Sequence, residues 1–160
     1  MENAEHQSGN ESYKTFFWML GCSFVAMYIT MYLNTYTLDH VYFSLTRFYM
    51  SCLGISAMAV IMWFFMRKMY KDKKKNIAIL VGSLVLFVSA LGLVRAQSPI
   101  VGDLLWMKAM IPHHSIAILT SERAAIKDPE VKKLAEDIIE AQKKEIEQMK
   151  AMIERLGDEE

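Results

Sequence analysis

Apolar positions along the chain come in two textures. Phe16 to Leu33, Tyr49 to Met66 and Ile77 to Val94 are each uninterrupted runs of 18 residues without Asp, Glu, Lys, Arg or His. That length is the low end of what spans a bilayer. The Ser, Thr, Gly, Cys and Tyr scattered through the runs mark no polar face, which a helix of a soluble core would carry. The pattern predicts an all-α chain that starts with three transmembrane helices over residues 16–95, preceded by a tail over residues 1–15. Beyond Val94 the texture becomes periodic, and the pattern predicts a soluble domain over 96–160.

Within that domain, Ser98-Pro99 and Gly102 read as a connector, and Asp103 reads as the N-cap of a helix reaching about Ile126. Asp128-Pro129 is a second start signal, an Asp cap with Pro at the first helical position. The second helix is predicted from Pro129 to about Leu156, stopped by Gly157. Two helices joined by so short a turn form an antiparallel hairpin. On the second helix Val131, Leu134, Ala135, Ile138, Ile139, Ala141, Ile146, Met149, Met152, Ile153 and Leu156 share one apolar arc of about 160°. One partner helix does not cover such an arc, so two hairpins are predicted to meet as a four-helix bundle by dimerisation, or in a higher homo-oligomer. Gln142 and Glu145 fall inside the arc, where a carboxylate must be paired, protonated or bound.

Formal net charge is zero, yet the charges are sorted. Arg67, Lys68, Lys71, Lys73, Lys74 and Lys75 crowd the second connection, whereas the first carries only Arg47. The positive-inside bias puts the basic loop 67–76 and the N-terminus in the cytoplasm, and the 34–48 loop and the hairpin outside. The first run has no cleavage pattern after it and is expected to stay in the mature chain. Cys22 and Cys52 fall at different depths and are not expected to pair.

The hairpin's first helix carries Met107-Lys-Ala-Met110-Ile-Pro112-His113-His114. His114 is central on its inner face, with Met107, Met110 and Ile111; His113 lies about 100° away, at the rim beside Trp106. Counting back from the turn sets His114 against Gln142, Ile111 against Glu145 and Met107 against Met149, each within about one turn. Misplaced polar groups from both helices thus converge at one level, the pattern of a transition-metal site. Met110, His113, His114 and Met149 are the candidate ligands, then Glu145 and Met107. Thioether with imidazole and no thiolate favours a copper ion. Pro112 removes the hydrogen bond to the Lys108 carbonyl and loosens the helix beside the site. The plainer alternatives are methionines as core filler, a core histidine bonded to Gln142 or Glu145, and a proline that only kinks.

Elsewhere, Asp39-His40 is either an accessory ligand pair or the anchor of an Asp39–Arg47 salt bridge in a belt of Tyr32, Tyr36, Tyr42 and Tyr49. The stripes Met27, Met31 and Met58, Met62, Met66 read as packing rather than a path for a cation. The chain has neither the Glu-x-x-His of carboxylate-bridged di-iron bundles nor a phosphate loop, a nucleophile elbow or Cys-x-x-Cys, so no enzyme is expected. The partners read from the chain are the lipid bilayer and further copies of itself, with no nucleic acid and an unspecified metal-delivery partner.

The block Met107 to Ala124, the Asp128-Pro129 pair and the Gln142-x-x-Glu145-Ile-x-x-Met149 segment resemble the bacterial domain of unknown function 305 family. Met31-Tyr-Leu-Asn-Thr-Tyr36 and Asp39 to Ser44 resemble its membrane-anchored branch. The resemblance implies a ferritin-like helical bundle associated with copper binding and tolerance outside the cytoplasm. Soluble members of that family commonly carry two hairpins in one chain, and this chain carries one, which again points to a homodimer. The function expected is metal storage, buffering or tolerance at the outer face of a bacterial cytoplasmic membrane. The alternative is a non-metal scaffold whose hairpin mediates oligomerisation.

Overall fold

The computed structural model describes residues 2–97 and 99–157, with side chains from Glu11 onward; Ser98 of the expected connector lies outside the described residues. Among the described residues the chain is all-helical, with no strand. The helices are α1 (Glu2–Thr30), α2 (Leu45–Met66), α3 (Lys73–Ala96), α4 (Asp103–Arg123) and α5 (Pro129–Gly157). A 3-10 turn, Leu38–His40, precedes α2. The chain forms two compact units: α1 up to Ile29 with residues 47–96, and residues 30–46 with the chain from Gln97 onward.

In the first unit, Tyr13, Phe16, Ala59, Tyr70 and Ile79 form the core, bringing α1, α2 and α3 together. The connection between α2 and α3 is fastened by polar groups. Asp72 Oδ1 accepts the backbone N–H groups of Lys74 at 2.9 Å and Lys75 at 3.2 Å, which caps α3. The Tyr13 hydroxyl donates to Asn76 Oδ1 at 2.8 Å, and Asn76 Nδ2 donates to the Tyr70 carbonyl at 2.8 Å.

Of these helices, α2 and α3 are long and apolar enough to cross a membrane. Only 28% of the apolar window of α2 and 17% of that of α3 is buried within the chain, so neither behaves as the core helix of a soluble protein. Val81, Leu84, Val85 and Val88 of α3 are each more than half exposed, an apolar surface that water would penalise heavily. The expectation of three spans is corrected to two such helices. Helix α1 ends at Thr30, so Met31, Tyr32 and Leu33 of the first apolar run fall in the turn beyond it. With the stretch before Phe16 polar, the helix keeps 15 apolar-run residues, Phe16 to Thr30, of the 18 in the run.

In the second unit α4 and α5 pack as a hairpin. Its core is Met107, Ile111 and Ile118 from α4 with Ile146 and Met149 from α5. Asp128 caps α5 as its sequence requires, its Oδ1 accepting the N–H groups of Glu130 and Val131, both at 3.0 Å. At α4 the cap is Gly102, in extended backbone and without a side-chain bond, rather than Asp103. Asp103 is the first helical residue, where its charge still favours the positive helix end. The arc of α5 is only partly covered: Ala135, Ile146 and Met149 are buried, while Val131, Leu134 and Met152 are 50%, 59% and 47% exposed.

Candidate metal centre

Residues Met110 and His114 are one helical turn apart, so the imidazole of His114 can fold back along its own helix. It does so: Nδ1 lies 3.0 Å from the Met110 carbonyl oxygen. A carbonyl only accepts, so Nδ1 carries the hydrogen. On the ring's other side, Nε2 lies 2.7 Å from Glu145 Oε2 on α5. The side chain of His114 is 16% exposed and that of Glu145 51%. If the ring carries a single hydrogen, the Nε2 lone pair faces a carboxylate. Two electron-rich atoms in such proximity call for a shared cation, either a proton or a metal ion.

The thioethers lie in the adjoining core. Met107 and Met149 are buried at 4% and 7% exposure, and Met110 packs against the same cluster. His113 is exposed, its ring centroid 6.4 Å from that of His114. The structure thus joins His114, Glu145 and the Met110 backbone in one hydrogen-bonded unit and gathers Met107, Met110 and Met149 in one cluster. His113 is left at the rim. His114 meets Glu145 one turn along α5 from Gln142, its counterpart by counting from the turn. Glu145 escapes the burial its place in the apolar arc suggested, because that side of α5 is open.

A second polar group fastens residues 30–46 to the hairpin. Ser115 is fully buried on α4. Its hydroxyl oxygen accepts the Tyr36 N–H at 2.7 Å and stands 3.0 Å from His40 Nδ1. Donation of the hydroxyl hydrogen to Nδ1 satisfies both groups and leaves the His40 hydrogen on Nε2, toward Asp39 Oδ2 at 3.8 Å. Lys150 of α5 closes on the same Asp39 oxygen at 2.6 Å. Asp39 thus takes Lys150 as its cation. The bond from Lys150 holds the Asp39 carboxyl down to about 2 from 3.8 and raises the lysine. Burial pushes His40 below its ordinary 6.5. Although serine, histidine and aspartate stand in a row, a fully buried oxygen already holding a backbone amide is a fastening rather than an exposed nucleophile. Ser115 is three or four residues from Ile111 and Ile118 on the buried stripe of α4, and that spacing was the one available signal.

The fold and this geometry define an all-helical protein with two apolar helices of membrane-crossing length and a helical hairpin clasped by an upstream segment. Over residues 94–160 the chain matches the model of the family described as Domain of unknown function (DUF305). It is 33% identical over 139 residues to a protein of Acanthamoeba polyphaga mimivirus described as uncharacterized protein L153, an alignment covering 85% of this chain and 89% of that protein. That coverage takes the similarity well upstream of the family match, into the apolar helices. No solved structure matches the chain.

Proposed function

We propose that the chain is a membrane-anchored protein that binds a soft transition-metal ion, copper foremost, at His114 of its hairpin, for storage, buffering or tolerance. One observation carries the reading: Nδ1–H of His114 is tied to the Met110 carbonyl. A backbone bond of this kind fixes the tautomer and turns the opposite nitrogen into the ligand atom. Glu145 stands ready beside that atom as a second ligand, and Met110, Met107 and Met149 supply soft sulfur from the adjoining core.

Among the described residues no three of His, Cys, Asp and Glu gather as a metal-holding group. A site here therefore draws on thioethers, which favour Cu(I), or on a second copy. The half-open arc of α5, with Val131, Leu134 and Met152 exposed, supports the second copy. His113 at the rim is placed to meet an incoming ion or that copy. The apolar surfaces of α2 and α3 support anchoring in a membrane, and the lysines of 67–76 favour the cytoplasmic side for that loop, with the hairpin outside.

The test is a competition titration of the full chain in detergent with Cu(I) against a chromophoric chelator. His114→Ala is expected to weaken binding at least tenfold, about 1.4 kcal/mol. Equal affinity in wild type and variant contradicts the proposal. The same open arc favours one other reading, a scaffold whose His114–Glu145 pair locks the register of an oligomer. That reading requires His114→Ala to change the particle mass in metal-free buffer; the metal reading requires the mass to stay the same.

A further inference from the structure

A cleft of about 770 Å³ opens in the first unit between α1, α2 and α3. We propose that it binds an anionic phospholipid of the leaflet on the side of residues 67–76, with acyl chain in the cleft and headgroup at Lys14 and Lys75. The inference rests on α2 and α3 lying in a membrane and is independent of the metal.

Depth, emptiness and charge point to that occupant. The walls are apolar, with Leu20 and Phe24 from α1, Ile55 from α2 and Leu86 from α3. Tyr13 of α1 bonds Asn76 of α3, which sets the two helices level at the mouth. From that level to Phe24 and Leu86 each helix rises about 16 Å, close to half of the ~30 Å hydrocarbon core. The cleft therefore runs one leaflet deep. Its space is left by glycine: a Cβ added at Gly21 or Gly82, both on its walls, meets no atom within 4 Å.

The mouth is cationic. Lys75 holds its ammonium 5.0 Å from the Tyr13 ring centroid, and Lys14, two-thirds exposed, pairs with Glu11 at 2.8 Å. Around them the connection carries Arg67, Lys68, Lys71, Lys73 and Lys74 against a single acid, Asp72, which is turned inward to cap α3. Even with Glu11 beside Lys14, an excess of positive charge meets the headgroup level. An apolar slot one leaflet deep under such a rim matches a phospholipid with a net negative headgroup.

The full chain is reconstituted into vesicles of phosphatidylglycerol and phosphatidylcholine in equal amounts, washed with alkaline carbonate, extracted, and weighed with its retained lipid by native mass spectrometry. Wild type is expected to keep phosphatidylglycerol in preference, and Lys14→Gln/Lys75→Gln to lose that preference by about fivefold per lysine. Gly82→Leu, and independently Gly21→Leu, fill the slot and are expected to abolish retention while the chain stays in the vesicles with unchanged helicity. A chain that survives the wash but keeps both lipids equally overturns the lipid site alone, as does retention undiminished in both leucine variants. A chain removed by the wash overturns the membrane reading with it.

Discussion

At His114 one ring nitrogen is spent on the helix backbone and the other is offered across the hairpin, so the two adjacent histidines are chemically unlike. A second residue-scale consequence concerns His40 and Ser115. Removing the Ser115 oxygen strands a backbone N–H and an imidazole nitrogen, so Ser115→Ala is expected to weaken docking of residues 30–46 by about 1–3 kcal/mol. The readout is hydrogen exchange at the Tyr36 amide. The same amide reports pH. His40 titrates below 6.5 in the fold because burial disfavours its charged form. Its contribution is complete above pH 6.5 and is lost as pH falls through the folded value. Asp39, lowered by Lys150 from 3.8 to about 2, contributes fully above pH 3.8, and its share is lost as pH falls toward 2. Protection of Tyr36 is thus expected to drop in two stages on acidification; a His40→Gln variant lacking the upper stage supports the assignment, and one keeping it refutes it.

Helix starts and faces were legible wherever the signal was local. Asp128-Pro129 announced α5, and Asp128→Ala is expected to cost about 1 kcal/mol of hairpin stability in thermal unfolding, with Asp128→Ser recovering most of it. Projection at 100° per residue separates half-buried His114 from exposed His113, since the side chains of a straight helix follow from spacing alone. Two features escaped for physical reasons. The first apolar run crosses a helix end: apolarity does not record where backbone hydrogen bonding stops, so Met31 to Leu33 counted toward a span although they lie in the turn beyond α1. The clasp of Tyr36 and His40 on Ser115 joins residues 79 and 75 positions apart, and no periodic pattern encodes such a pairing.

For the whole molecule, the unsatisfied surfaces are the better guide. The first unit exposes the apolar sides of α2 and α3, which a bilayer would cover, and the second exposes Val131, Leu134 and Met152, which a second hairpin would cover. Leu134→Glu is therefore expected to halve the particle mass in sedimentation while leaving helicity unchanged; an unaltered mass argues against pairing through α5. The central claim, that the hairpin holds copper through His114, is tested most directly by X-ray absorption at the copper edge on the Cu(I)-loaded full chain. The expected spectrum has sulfur scattering together with imidazole scattering, the latter lost in His114→Ala, and an identical spectrum from wild type and His114→Ala contradicts the claim.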